Sequence, residues 1–151
     1  MKLSENFTRS EIEHSNTAKR LGIKNEMSEE HLENMQNLID NLIQPLRDGV
    51  GPIRISSGYR SPQLNKAIGG STRSQHSKAE ALDLQYWSGG KMNNKVIYDW
   101  ILDSGLEFDQ MINEFDFSWI HISLKKNSNR SEVLEAYKND KGKTKYKFVE
   151  A

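Results

Sequence analysis

Residues 74–83, SQHSKAEALD, place a histidine and an aspartate seven positions apart, and residues 119–123, WIHIS, add a second histidine about forty positions later. Two imidazoles and one carboxylate, from His76, Asp83 and His121, form a plausible zinc-ligand set that leaves a fourth position for water. A continuous strand would hold His76 and Asp83 ~23 Å apart, and a helix would hold them ~10 Å apart. The two residues can therefore share one ion only if the chain reverses between them.

Composition and length narrow the kind of protein that carries this set. The 151 residues contain no cysteine, so any metal must be held by His, Asp and Glu. Twenty-one Lys and Arg balance 21 Asp and Glu, which argues against a nucleic acid partner because there is no global positive field. No apolar run approaches the ~20 residues that a bilayer requires, so we expect no membrane partner. The length predicts a single domain over residues 1–151.

Hydrophobic periodicity predicts an α+β fold. A helical stripe runs from Leu32 to Leu46, with Pro45 expected to kink or end the helix, and a second stripe begins at Val96 after a candidate cap at Asn93 or Asn94. Alternating patterns predict short strands at 53–56, 79–86, 106–114, 119–124, 133–137 and 146–149. We therefore expect N-terminal helices packed on a small antiparallel sheet whose open face carries the metal site.

A longer pattern surrounds the candidate ligands. It comprises Ser-Gly-Tyr-Arg-Ser-Pro at 57–62, Asn65, Gly69-Gly70, Ser-x-His through Ala-x-Asp within 74–83, and Trp-x-His at 119–121. This combination resembles the zinc D-alanyl-D-alanine carboxypeptidase family, which also contains phage L-alanyl-D-glutamate endolysins and the D-Ala-D-Ala dipeptidases of vancomycin resistance. That family is related in fold to the hedgehog signalling domain, so the resemblance, which covers about residues 5–125, implies a hedgehog-like or D,D-peptidase-like fold.

The resemblance also implies roles for individual residues. His76, Asp83 and His121 would bind one zinc ion, and Arg60 would anchor the substrate or polarise its carbonyl. A guanidinium suits either task because it is permanently charged and forks onto carboxylate oxygens. An ion pair that fixes the loop is an equally weighted alternative for Arg60.

Two positions depart from the family pattern. Ala79 stands where the family usually has Gly; if that position needs a positive φ, alanine costs on the order of 1 kcal/mol. Ser118 lies three residues before the last His, where the better-known members carry an Asp or Glu general base. Serine is no base at neutral pH, so another carboxylate would have to take this role.

Glu114 is the first candidate for the missing base. The segments on either side of it and of His121 are predicted to form a hairpin, and if these two residues pair directly, their side chains share a face about 5 Å apart at Cβ. A shift of one residue would put Asn113 beside His121 and turn Glu114 away. Asp116, in the turn itself, is the second candidate, and a solvent-facing strand acid is the alternative interpretation of Glu114.

These inferences predict a monomeric zinc peptidase that hydrolyses an amide of a peptidoglycan stem peptide, either D-Ala-D-Ala or L-Ala-D-Glu. The first 15 residues, MKLSENFTRSEIEHS, lack the apolar core of a secretory signal. We therefore expect synthesis in the cytoplasm, followed by action at the cell wall after release by a partner pore, as suits a phage or prophage lysin, or else action on cytoplasmic wall precursors. The alternative is a non-catalytic, zinc-stabilised domain that binds wall fragments or serves a phage particle structurally.

Overall fold

The computed structural model describes residues 1–149, in which helices dominate the first half and strands the second. The helices are α1 (Arg9–Glu13), α2 (Asn16–Leu21), α3 (Glu29–Leu38), α4 (Gln44–Val50), α5 (Pro62–Ala67) and α6 (Lys95–Ser104). The strands are β1 (Arg54–Ser57), β2 (Ala81–Gln85), β3 (Trp87–Ser88), β4 (Lys91–Met92), β5 (Gln110–Glu114), β6 (Trp119–Ser123), β7 (Glu132–Lys138) and β8 (Thr144–Phe148). The expected α+β class is confirmed. Within residues 1–149, every helix is too short or too polar to cross a bilayer.

Six of the strands form one mixed sheet in the order β1-β2-β6-β5-β7-β8. Neighbouring strands are antiparallel except β5 and β7, which run parallel. The prediction of a purely antiparallel sheet is therefore wrong. Both edges of β6 are already paired, with β2 and β5, so β7 must add to the free edge of β5. The chain reverses after β6, and because β5 and β6 are antiparallel, β7 then runs parallel to β5. The short β3–β4 hairpin forms a separate two-stranded sheet that the sequence did not predict.

Pro45 does not end the long N-terminal helix. A π-helical segment, Ile39–Ile43, joins α3 to α4, and in it the amide of Gln44 donates to the carbonyl of Ile39. This wider i to i+5 turn accommodates a proline ring that has no N–H to donate. The predicted disruption is thus present as a π-helical segment, and the predicted end is wrong.

Buried apolar side chains from the helices and from one face of the sheet form a single cluster. Its members include Met35, Leu38, Leu42, Leu82, Leu84, Ile120 and Ile122. Asp83 lies between Leu82 and Leu84 in sequence, and His121 lies between Ile120 and Ile122. Because successive side chains of a strand point to opposite faces, Asp83 and His121 project from the other face of the sheet. The candidate metal site therefore lies on the face opposite this cluster, next to a second, smaller buried cluster of Ile112, Leu134 and Ala136.

Candidate metal centre

The three candidate ligands meet on this face. Strands β2 and β6 pair with Asp83 directly opposite His121, and His76 comes from the turn that precedes β2. The Oδ1 atom of Asp83 lies 3.2 Å from Nε2 of His76 and 3.1 Å from Nδ1 of His121. One ligand atom from each residue lies within 4.8 Å of the other two, and all three residues are buried. The structure thus brings together the set that the sequence predicted.

The chain reverses between His76 and Asp83, as a shared ion requires. Consecutive turns occupy residues 75–79 and end at Ala79, which has a φ of 58°. The position that the family pattern fills with glycine therefore does need a left-handed backbone, which costs alanine on the order of 1 kcal/mol. Because the Ala79 side chain is fully buried, the burial of its methyl group offsets part of that cost.

A backbone carbonyl determines which nitrogen of His76 can bind metal. Its Nδ1 lies 2.8 Å from the carbonyl oxygen of Gly58. That oxygen can only accept, so Nδ1 carries the proton and Nε2 presents a lone pair toward Asp83. Glycine is required at position 58 because a Cβ there would collide with the carbonyl oxygen of Ile12 in α1. The Ser-Gly-Tyr-Arg segment therefore orients the first ligand as well as supplying Arg60.

Gln75 determines which nitrogen of His121 can bind metal, a role that the sequence did not indicate. The carboxylate of Asp109 can only accept, so Nε2 of Gln75 donates to its Oδ2 over 2.9 Å. The amide oxygen of Gln75 consequently faces Nε2 of His121, at 2.9 Å, and accepts a hydrogen bond from its N–H. Nδ1 of His121 is left unprotonated toward Asp83, where a metal ligand is needed.

Asp109 is held ionised at the far end of this chain of contacts. Its side chain is fully buried, and Arg130 donates to it from Nε at 3.0 Å and from Nη2 at 2.8 Å. Burial by itself raises the pKa of Asp109, but the hydrogen bonds and charge of Arg130 lower it by more. No sequence signal linked Asp109 to Gln75, because the two residues are 34 positions apart and meet only through the fold.

Replacing Gln75 by Leu is expected to weaken zinc binding by ~10–100-fold, because His121 would lose the acceptor that fixes its tautomer. Competition with a chelator of known affinity measures this change. Gln63→Leu is the matched control, since Gln63 is an exposed residue of α5. Equal zinc affinity in the two variants would show that Gln75 does not orient His121.

The donor set itself fits a zinc ion. The Oδ1 atom of the buried Asp83 lies close to both imidazoles, and a carboxyl group with an ordinary pKa of ~3.9 is ionised near neutral pH. An ionised carboxylate thus faces two ring nitrogens whose other nitrogens are committed to acceptors. Nitrogen lone pairs beside a carboxylate repel it unless a cation lies between them, and two imidazoles with one carboxylate are typical zinc ligands.

Arg60 lies beside this triad. Its Nη2 is 3.7 Å from Oδ2 of Asp83 and its Nη1 is 3.5 Å from Oδ1 of Asn65, while its buried Nε has no hydrogen-bond partner within residues 1–149. Burial lowers the pKa of the guanidinium, and the charges of Asp83 and Glu114 oppose that effect. The ion pair with Asp83 matches the structural alternative for Arg60. Because the contacts of Nη1 and Nη2 are long, these two nitrogens keep hydrogens for a substrate oxygen.

Glu114 shares the face of the ligands, but its predicted pairing is wrong. Ile112, rather than Glu114, lies opposite His121, and Glu114 lies opposite Trp119. A shift of two residues preserves the face of the strand, so Glu114 still points into the site. Its Oε2 accepts a hydrogen bond of 2.8 Å from Nε1 of Trp119. Burial raises the pKa of Glu114 and Asp83 raises it further, against the opposing effects of His121, Trp119 and Arg60.

A left-handed turn sets this register. Phe115, Asp116 and Phe117 all have positive φ, between 53° and 60°, a run that is rare for residues other than glycine. The hydroxyl of Ser118 donates to the carbonyl of Phe115 over 2.7 Å, so the serine at the family's base position is engaged within the turn. Asp116 is exposed and lies outside the residues that line the cleft of the site.

Asn94 anchors the turn from a distant part of the chain. Its Nδ2 donates to the carbonyls of Phe117, at 2.7 Å, and Ser118, at 3.1 Å, while its Oδ1 accepts from the amide of Tyr86 at 2.7 Å. Asn94 does precede α6, as predicted for a cap, but its side chain makes no capping hydrogen bond. The buried Asn94 side chain instead connects the residue after β2 and the start of α6 to the β5–β6 turn through hydrogen bonds.

An open cleft of about 960 Å³ contains all of the predicted site residues, which are Arg60, His76, Asp83, Glu114 and His121. A family model described as Peptidase M15 matches residues 5–123 of the chain, a span that includes these five residues. No curated protein matches the chain.

Proposed function

The chain belongs to the peptidase M15 family, whose members depend on zinc, and from this premise we propose that it hydrolyses an amide bond in peptidoglycan stem peptides. The observation that carries the proposal is the convergence of the zinc-ligand triad with Glu114 and Arg60 in one open cleft. A metal-binding domain without catalytic activity would not require both a carboxylate and a guanidinium beside the metal ligands in an open cleft. The site of action in this proposal is the cell wall, and the active form is a monomer.

Zinc held by His76, Asp83 and His121 would polarise the scissile carbonyl and allow water to attack it near neutral pH. Glu114 takes the proton of the attacking water and later gives it to the leaving amine. Because Trp119 occupies Oε2 of Glu114, Oε1 is the atom that carries this proton. The raised pKa of Glu114 brings it nearer to neutrality, where a single group both accepts and returns a proton efficiently.

Arg60 holds the substrate in this mechanism. Its guanidinium lies beside the triad, and its Nη1 and Nη2 make only long contacts within the protein, of 3.5 Å and 3.7 Å. In a D-Ala-D-Ala carboxypeptidase it would bind the terminal carboxylate, and in an L-Ala-D-Glu endopeptidase it would bind a backbone carbonyl next to the scissile bond. The two reactions release different products, so the products identify the bond.

The proposal is tested by measuring hydrolysis of purified cell walls and of a synthetic stem pentapeptide. Each substrate is incubated with the zinc-loaded protein and, as a control, with protein from which a chelator has removed the metal. Release of free D-alanine identifies the carboxypeptidase, and a new amino terminus at glutamate identifies the endopeptidase. Stoichiometric zinc with no hydrolysis of either substrate would overturn the proposal in favour of the non-catalytic, wall-binding or phage structural domain.

Activity is expected to fall as the pH falls. Glu114 accepts a proton only when it is ionised, and its raised pKa means that it becomes protonated at a higher pH than an ordinary glutamate. Protons also compete with zinc for its ligands. Measuring kcat/KM and bound zinc together, from about pH 9 to about pH 4, separates the two effects, because only protonation of Glu114 lowers the rate while zinc stays bound. Constant activity over this range would contradict both.

A further inference from the structure

The β7–β8 hairpin lies beyond the span matched by the family model, yet it forms one wall of the cleft. β7 runs beside β5 with Leu134 next to Ile112 and Ala136 next to Glu114, and β8 places Tyr146 opposite Ala136. Facing residues of paired strands share one face of a sheet. The row that begins at Glu114 therefore continues across the hairpin to Tyr146.

Lys138 brings a positive charge to this wall. Its ammonium donates to Oγ1 of Thr144 over 2.7 Å and lies 4.9 Å from the centre of the Phe115 ring. These contacts orient the charge without neutralising it, because within residues 1–149 Lys138 forms no salt bridge. On the other face of the same hairpin, by contrast, Lys147 pairs with Glu135 at 3.6 Å.

Tyr146 adds an aromatic surface beside this charge. It is two positions from Thr144 on the same face of β8, lines the cleft and is 53% exposed. A half-exposed phenol ring offers a flat apolar surface to a peptide and a hydroxyl that can hydrogen-bond to it. Burial, together with the carboxylates of Glu114 and Asp83, raises the pKa of Tyr146, so its hydroxyl stays protonated as a donor.

The distance from the metal ligands indicates what this wall contacts. Asp83, His121, Ile112 and Leu134 lie in one row across the sheet, and Lys138 is four residues beyond Leu134 along β7. Four residues of extended chain span ~13 Å, so the backbone of Lys138 is displaced from that row by about the length of four peptide residues. A group bound there would belong to a part of the substrate that does not react.

We propose that the β7–β8 hairpin forms a carboxylate subsite, in which Lys138 binds a carboxylate of the substrate peptide remote from the scissile amide and Tyr146 packs along the intervening chain. This inference rests on the proposed function, because it takes the substrate to be a peptide. It makes the hairpin a specificity determinant, which favours stem peptides with a free carboxylate over those in which that group is amidated.

Calorimetric binding of synthetic stem pentapeptides to the zinc-loaded protein tests the subsite, with Glu114→Gln in every variant so that the peptides survive. One peptide has all its carboxylates free, a second carries an amidated glutamate α-carboxylate, and a third carries a C-terminal amide. Lys138→Gln is compared with Lys145→Gln, a matched control because Lys145 pairs opposite Tyr137 on the outer face of the same hairpin. Hydrolysis by the two lysine variants with Glu114 intact is measured in parallel.

Lys138→Gln is expected to weaken binding of the free peptide by about tenfold, and Lys145→Gln to leave it unchanged. One of the two amidated peptides should bind about tenfold more weakly than the free peptide to the protein that keeps Lys138. In Lys138→Gln, the same amidated peptide and the free peptide should bind about equally. The subsite is overturned if Lys138→Gln and Lys145→Gln change peptide binding equally. It is also overturned if amidation weakens binding equally with and without Lys138, or if no peptide binds. If the expected pattern appears but the Glu114-intact protein hydrolyses nothing, the proposed function fails and the subsite stands.

Discussion

A Glu114→Gln protein is expected to turn over ~10²–10⁴-fold more slowly than the unmodified protein while it still holds zinc. Glutamine keeps the size of the side chain and can still accept the hydrogen bond from Trp119, so the wall of the cleft stays in place. It lacks the basic oxygen that takes the proton of the attacking water. Turnover of a stem peptide and metal content, measured on the same preparation, separate lost proton transfer from lost zinc.

Asp116→Asn is the matched control for this change. Asp116 is the nearest other acid in the β5–β6 turn, but it is exposed and does not line the cleft. Near-normal turnover in Glu114→Gln together with its loss in Asp116→Asn would assign the base to the turn. If neither substitution matters, no carboxylate of this hairpin serves as the base.

His121→Ala is expected to abolish both stoichiometric zinc binding and hydrolysis. The substitution removes one of three ligands and leaves Asp83 with a single imidazole neighbour, so the remaining pair offers too few donors for a stable zinc site. It also leaves the amide oxygen of Gln75 without its donor. Elemental analysis after dialysis reports the zinc content directly.

His14→Ala is the control for a lost imidazole, because His14 is exposed and does not line the cleft. This protein should keep both its zinc and its activity. A His121→Ala protein that still held one zinc at the same site would contradict the assignment of the ligands.

The ligand triad could be predicted because His76, Asp83 and His121 lie in short motifs that match the pattern of the zinc carboxypeptidase family. His76 lies in the turn before β2, and Asp83 and His121 alternate with apolar residues along two strands, so the shared face of Asp83 and His121 follows from the period of two. The same period places Glu114 on that face only in a register that leaves it an even number of residues from the partner of His121, as the structure has it. Its partner could not be predicted in this way, since a shift of two residues changes the pairing without changing the face.

The register instead depends on contacts between distant parts of the chain. Three consecutive residues in the 115–118 turn adopt positive φ without any glycine to signal it. Their conformation is supported by the side chains of Asn113 and Asn94, and Asn94 belongs to a different part of the fold. Local propensity favours other turns at such a sequence, and these tertiary hydrogen bonds outweigh it.

Residue type and periodicity within single segments indicated the α+β class, and the resemblance to the zinc carboxypeptidase family identified His76, Asp83 and His121 as candidate ligands. Only the tertiary structure decided that Gln75 and Asp109 orient His121, that β7 joins β5 in parallel and that Lys138 reaches the cleft. Those features arise where segments far apart in sequence come into contact. The direction of a hydrogen bond and the availability of a free strand edge depend on both segments, so neither segment alone predicts them.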